Sequence, residues 1–422
     1  MRTASACLFA AAAAGCVPAP PAPAPGVTVS IALPAAPDSG ATDCAPETSS
    51  TPELDENCRE AMDKLRATRP ERVEIQRSCL PGLALLEDLS FMKRVGIAEY
   101  GPSDEPVDLS PLARASSLSS IEVTTSMTPS FGPLLALPTL RDVSIRCRVA
   151  SLEAIRGLPH LTTLTVDRGV NAGTQLDDLS VLGSLPSLRV LSINRFVDVT
   201  AVAAAAPNLE GLHARASNGT DALARMQNLT ALTIGCMETS AGFTAPAALR
   251  WLQLDCPELK PSTWRAFPRV EHLNVSETEI NSLAGIEAMV SLKSIDAHGT
   301  LIKSLRPLAR VKTLEAIDIH GSEVADLSPL AGLPRLKSIE AAPIPARSVA
   351  ALATSRSLES LWLAGMPVTD VRPLAAIRTL KEVMLPRGCS RPDAVALHKV
   401  RPDIKLMEWT DGPSSSDPSC YP

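Results

Sequence analysis

The sequence predicts an α/β solenoid, with a parallel β-sheet on the concave face and short helices or 3₁₀ turns on the convex face. Three observations carry that expectation. An aliphatic triplet at i, i+3 and i+5 recurs along most of the chain, and from Val270 onward it takes five consecutive steps of 22 residues. The second half of many units carries a proline, as in VDLSPL (107–112), KSLRPL (303–308), ADLSPL (325–330) and TDVRPL (369–374). Proline lacks the N–H that a central strand needs but suits the start of a short helix. Aromatic residues form only 3% of the 422 residues. That is sparse for a large globular enzyme, yet sufficient for a thin core filled by regularly placed aliphatics.

Taken in chain order, the first element is MRTASACLFAAAAAGCVPAP, with one basic residue (Arg2), an apolar run and then Ala13-Ala14-Gly15-Cys16. The run is too short to span a bilayer and reads as a signal peptide over residues 1–15. Small residues directly before a cysteine resemble the lipobox of bacterial lipoproteins. That resemblance implies cleavage before Cys16 and acylation of Cys16; more than one acyl chain anchors stably where a single chain is marginal. Val17 stands where the aspartate of inner-membrane retention would be, which implies the outer membrane rather than the inner. Residues 16–50, dense in Pro, Ala, Ser and Thr, are expected to form an extended tether. An N-terminal cap follows over 51–90, its helix starting at Thr51-Pro52-Glu53 with Thr as cap and Pro at the first helical position.

The repeats occupy 91–388. The triplet runs from Leu118/Ile121/Val123 through Leu188/Leu191/Ile193, Val270/Leu273/Val275 and Leu292/Ile295/Ala297 to Leu380/Val383/Leu385, with a degenerate copy at Met92/Val95/Ile97. Steps before Val270 vary from 20 to 27 residues. This pattern resembles the bacterial, internalin-like class of 22-residue leucine-rich repeats, which implies one short parallel strand per repeat. The family motif carries Asn three positions after the second strand aliphatic. Here those positions are Thr278, Thr300, Ser322 and Met366. Hydroxyls can take part of the amide's role, whereas Met366 cannot and is expected to disturb its repeat. Residues 389–411 read as a C-terminal cap and 412–422 as a Ser/Pro-rich tail.

Side chains alternate along a strand, so residues between the aliphatics face outward. Asp296, Asp318 and Glu340 therefore form an exposed acidic column that Trp362 continues. His298 and His320 lie side by side in the next column, each in an Asp-x-His-Gly frame. Trp251 sits on the same face beside His272. Like charges about 5 Å apart repel by about 1 kcal/mol in water and several times that at an effective dielectric near 20. The column is thus unfavourable unless compensated, and a basic partner would compensate it, with Trp362 as an anchor. Neighbouring carboxylates should raise the titration of both histidines. Histidine with aspartate suits zinc, but a flat sheet holds ligands in a line and no second shell is evident in the sequence; no metal and no other cofactor is assigned.

Ten cysteines stand at 7, 16, 44, 58, 79, 147, 236, 256, 389 and 420. Removing Cys7 and Cys16 leaves an even set suited to an oxidising compartment. Cys236 and Cys256 occupy equivalent positions of adjacent repeats, within reach of a disulfide. Cys58 with Cys79 would close the N-terminal cap, and Cys389 with Cys420 would pin the tail.

The formal charge of −6, without a basic stripe, argues against nucleic-acid binding. Phosphate loops, nucleophile elbows and HExxH helices are missing from the sequence. The expectation is a non-enzymatic, envelope-anchored protein that meets the membrane only through its lipid and recognises a protein or peptide through the concave face. A stiff envelope spacer, or a carbohydrate-binding surface with sugars stacked on Trp251 and Trp362, are the alternatives.

Overall fold

The computed structural model describes residues 55–99, 106–125, 127, 129–146, 151–167, 178–235, 242–256, 259–386 and 390–408, with backbone alone at Thr28–Ser30 and Cys236. The signal segment, Cys16, most of the tether, Cys389, Cys420 and the tail lie outside the described residues. Two compact units divide the chain: one gathers residues 18–197 and 201–214, the other is built mainly of residues 215–422.

In the first unit, strands Arg72–Gln76, Arg94–Ala98, Ser120–Thr124, Asp142–Ile145, Thr163–Val166 and Val190–Asp198 pair in order, all parallel. Their inward residues, from Val73 and Ile75 to Leu191 and Ile193, are at most 2% exposed. Repeat-like pairing thus begins at Arg72, inside the stretch expected to be cap. Pro70 stands where later repeats carry an aliphatic, which hid the copy. Thr28–Ser30, in the expected tether, also pairs in parallel with Arg72–Glu74.

The N-terminal helix covers Glu56–Thr68, and its cap is Asp55 rather than Thr51, because the Asp55 carboxylate accepts the Cys58 N–H at 2.7 Å. A disulfide joins Cys58 to Cys79 with Cα atoms 5.0 Å apart. It ties the helix to the turn beneath the first strands, where Cys58, Met62, Leu65 and Leu80 are buried.

In the second unit, three-residue strands His272–Asn274, Ser294–Asp296, Ala316–Asp318, Ser338–Glu340 and Ser360–Trp362 stack in parallel and in one register. Glu382–Leu385 and Lys405–Glu408 extend the ladder on one side, Trp251–Asp255 and Ala231–Cys236 on the other. Leu273/Val275, Ile295/Ala297, Ile317/Ile319, Ile339/Ala341 and Leu361/Leu363 point inward and are at most 2% exposed. The prolines sit at the start of short 3₁₀ turns, as in Arg306–Arg310, Ser328–Leu330 and Arg372–Ala376. Asp326 and Asp370 cap two of these turns by accepting the N–H groups of Ser328 (2.8 Å) and Arg372 (3.0 Å). That contact explains the recurring aspartate two places before the turn.

The expected disturbance at Met366 does not occur. The Met366 N–H donates to the Leu363 carbonyl at 3.0 Å, and its side chain fills the space where Thr278 and Thr300 bond, 2% exposed. Thr278 and Thr300 instead donate their hydroxyls to the carbonyls of Val275 and Ala297 at 2.6 and 2.7 Å. A helix at Pro392–Val400 closes this end. Arg401 donates its guanidinium to the carbonyls of Ala375 (3.3 Å), Ile377 (2.8 Å) and Leu380 (3.3 Å), and the Asp393 carboxylate accepts the Val371 N–H at 2.9 Å.

Candidate functional site: a buried Asp–His cluster on the strand face

Register alone places Asn274, Asp296, Asp318, Glu340 and Trp362 in one column of the second unit. Past the strands, a second ladder of backbone hydrogen bonds keeps the following residues aligned. The N–H groups of Ala297 and Ile319 reach the carbonyls of Asp318 and Glu340, both at 2.8 Å. The N–H groups of Glu277 and Gly299 reach those of His298 and His320, also at 2.8 Å. His298 and His320 are therefore held at one height, and their rings stack with centroids 4.5 Å apart and planes 5° from parallel.

Each histidine bonds the aspartate of its own frame. The contact between Nδ1 and Oδ1 is 2.7 Å for His298 with Asp296 and 2.8 Å for His320 with Asp318. The same oxygens accept the histidine backbone N–H groups, at 3.2 and 2.9 Å. Asp-x-His-Gly is thus a closed local motif: the aspartate orients both the turn and the ring, and the glycine takes the left-handed conformation that ends it (φ +63° at Gly299, +68° at Gly321). Asn274 continues the network, its amide Nδ2 donating to Asp296 Oδ2 at 3.2 Å.

The carboxylates are not the exposed column expected from alternation. Asp318 is only 3% exposed and Glu340 only 7%. The imidazoles account for part of this, since bonding Nδ1 to a carboxylate two residues back brings the ring over the strand face. Compensation is consequently internal. Hydrogen bonds from Asp296 and Asp318 raise the titration of His298 and His320 above the ordinary histidine range, against the opposing effect of burial. Glu340 has no such partner: burial, then the neighbouring Asp318 charge, push its carboxyl up to about 7.

The aromatic margin is where register puts it. Trp251 pairs with His272, and both are half-buried, as is Trp362. His272 Nδ1 lies 2.7 Å from the Ser294 hydroxyl, and burial lowers its titration. The structure therefore joins Asp296, His298, Asp318, His320 and Glu340 in one cluster, with Trp362 next in the column, and leaves Trp251 and His272 as a separate pair. Cys256 is disulfide-bonded; the side chain of Cys236, its expected partner, lies outside the described residues.

Two features escaped the sequence reading. Glu277 occupies the turn position taken by Gly299, Gly321 and Gly365 in later repeats, in the same left-handed conformation (φ +54°). Its Oε1 lies 3.9 Å from His298 Nε2. The signal was a glutamate in a column otherwise held by Gly299, Gly321, Pro343 and Gly365. The other feature is an alternating charge ladder beside the strands, Arg250, Glu271, Lys293, Glu315, Lys337, Glu359 and Lys381. Its ion pairs span 3.7 Å (Arg250–Glu271), 2.5 Å (Glu271–Lys293), 3.4 Å (Glu315–Lys337) and 2.5 Å (Glu359–Lys381).

No helix among the described residues is long and apolar enough to cross a membrane. No family model and no curated protein matches the sequence. Solved structures do resemble the chain. A leucine-rich-repeat protein of Leptospira interrogans aligns over 85% of this chain and 100% of its own, at 13% identity and a TM-score of 0.51. An internalin (inlF) of Listeria monocytogenes aligns over 84% and 94%, at 13% identity and a TM-score of 0.40. Internalin C2 of the same organism aligns over 56% and 80%, at 20% identity and a TM-score of 0.33. Together with the parallel register, the Leptospira likeness establishes the fold as a leucine-rich-repeat solenoid.

Proposed function

We propose that the protein is a non-enzymatic binding protein, anchored to the bacterial cell envelope through acylated Cys16, that recognises a protein or peptide through its strand face. The observation that carries this reading is the face of the second unit between Trp251 and Trp362. Five strand spacings separate the two tryptophans, about 24 Å at ~4.8 Å per strand. That span fits an extended peptide or a protein surface better than a small molecule. Half-buried tryptophans flanking an ordered polar strip form the kind of surface on which a few aromatic anchors carry affinity. Because imidazoles already compensate the carboxylates, the partner need not be strongly basic, which modifies the expectation drawn from the acidic column.

Asp–His pairs whose carboxylates are each committed to their own turn and ring are poor material for catalysis, which supports a binding role over an enzymatic one. To test the reading, the purified protein and a Trp251→Ala, Trp362→Ala variant are immobilised and challenged with envelope extract. A partner retained by the parent and lost by the variant supports it. Equal retention, or none by either, moves the spacer reading ahead. Incorporation of labelled fatty acid that stops in Cys16→Ser tests the anchor separately.

A further inference from the structure

We propose that His298 and His320 bind a divalent transition-metal ion of the zinc class through their Nε2 atoms, with Glu277 as a third ligand. This inference concerns three side chains and stands whether or not a macromolecular partner uses the face.

Three observations lead to it. First, both Nδ1 atoms are committed to aspartates at 2.7 and 2.8 Å. In the neutral ring the proton then sits on Nδ1 and the lone pair on Nε2. Metal-binding histidines commonly show this arrangement, with a carboxylate behind the ring fixing tautomer and orientation. Asp296 and Asp318 thus form the outer shell whose apparent absence weighed against a metal in the sequence.

Second, the rings are stacked in register, centroids 4.5 Å apart and 5° from parallel, so their Nε2 lone pairs point the same way. Zn–N bonds of about 2.0–2.1 Å in a tetrahedron put two nitrogens about 3.3 Å apart. Converging two parallel lone pairs on one tetrahedral ion takes more than closing the remaining ~1 Å: each half-exposed ring must turn out of the stack by roughly 50°, a side-chain rotation that leaves the strands in place. One donor atom from each of His298, Asp318 and His320 lies within 4.8 Å of the others; Glu277 stands outside that group, and its exposed side chain would swing in to take the third position.

Third, Glu277 holds a left-handed backbone conformation that later repeats assign to glycine (φ +54° against +63°, +68° and +72° at Gly299, Gly321 and Gly365). A side chain in that conformation costs about 1 kcal/mol or more, and the fold gives no packing in return, since the Glu277 side chain is 85% exposed. What the residue does contribute is a carboxylate 3.9 Å from His298 Nε2. Two imidazole nitrogens and one carboxylate match the donor set of open zinc sites, with water completing the shell. The surrounding carboxylates favour a cation and suit no anion.

The test titrates the purified, tag-free protein, stripped with chelator, with Co²⁺ by ligand-field absorption and with Zn²⁺ by competition against a chromophoric chelator. One site per chain is expected. His298→Ala and His320→Ala should each weaken it at least ~10-fold, and Asp318→Asn ~10- to 100-fold as an outer-shell loss. Glu277→Gly is the control against misfolding. It should weaken the metal while the melting temperature measured in chelator stays level or rises, because strain is relieved. A stoichiometric site that survives the double change His298→Ala, His320→Ala overturns the proposal. So does an absence of cobalt binding by the parent, or metal affinity unchanged in Glu277→Gly together with unchanged affinity in Asp318→Asn.

Discussion

Glu340→Gln should stabilise the second unit at alkaline pH and leave it unaltered at acid pH. Glu340 lies in the column between Asp318 and Trp362 and is 7% exposed, so ionising it removes a charge from water beside another carboxylate. These two causes, in that order, lift its carboxyl from 4.5 to about 7. Between those values the folded chain retains a proton that the unfolded chain has released. Stability is therefore full below about 4.5 and falls as pH rises through about 7. A shift of that size corresponds to about 3 kcal/mol. Glutamine keeps the shape without the charge, so the variant should match the parent near pH 4.5 and exceed it by about 3 kcal/mol at pH 8. The raised histidines also lose their contribution as pH rises through their folded values; because their charges act on Glu340, that slope cancels only in part between the two chains, and the Glu340 titration itself is the deciding readout. Hydrogen exchange in chelator at the Ile319 amide, which donates to the Glu340 carbonyl at 2.8 Å, reads the local opening energy. Carbon NMR of the Glu340 carboxyl reads its titration. A carboxyl titrating near 4.5, or a gap between the two chains that is equal at both pH values, would refute the reasoning.

Other expectations concern the frame. Replacing Cys58 and Cys79 by serine opens a loop with a sequence separation of 21; chain entropy puts the cost at about 3 kcal/mol. Loss of protection should be confined to the cap helix and the first strands, and a uniform loss across the second unit would contradict it. Thr300→Val deletes the hydroxyl bonded to the Ala297 carbonyl at 2.7 Å and should cost about 1 kcal/mol in urea unfolding. Ser322→Ala, at the equivalent position, removes a buried hydroxyl oxygen that has no hydrogen-bond partner, and should be neutral or stabilising. If both substitutions cost the same, the hydroxyls act through packing alone.

The parallel sheet was legible because a repeat reports its own register: five steps of 22 residues from Val270 fix which residues neighbour which, without knowledge of any side-chain contact. The pairings of Asp296 with Asp318, Asp318 with Glu340 and Trp251 with His272 follow from that arithmetic. Copies without the aliphatic signature were harder to read. The strand at Arg72–Gln76 lies behind Pro70, and the expected helix start at Thr51-Pro52 falls outside the described residues, whereas Asp55 makes the observed capping bond. The strand lacked its first aliphatic, whereas the helix start had several candidates: Thr, Asp and Pro all suit one, and only the observed hydrogen bond selects Asp55.

Burial of the site was not legible, and the reason lies in what alternation encodes. A period of two says which way a Cα–Cβ bond points and nothing about what comes to lie above it. Asp318 points outward as alternation requires, yet it is 3% exposed. Its own His320 ring bonds back to it, and the stacked His298 ring stands alongside. The cover is thus supplied by the next column of the same surface. That changes the chemical meaning of the duplicated frame: an acidic column open to solvent would await a cation from outside, whereas two Asp–His pairs hold their own protons and leave the Nε2 atoms available. Glu340 departs from the frame, because Ala342 stands where histidine would be. Without an imidazole to share its charge it is the one carboxyl of the column pushed up to about 7. The contrast between Asp318 and Glu340, adjacent in register and both buried, isolates the role of the histidine two residues on: where it is present the carboxylate oxygen is bonded by imidazole Nδ1 at 2.8 Å and the ring titrates higher, and where it is absent burial raises the carboxyl itself.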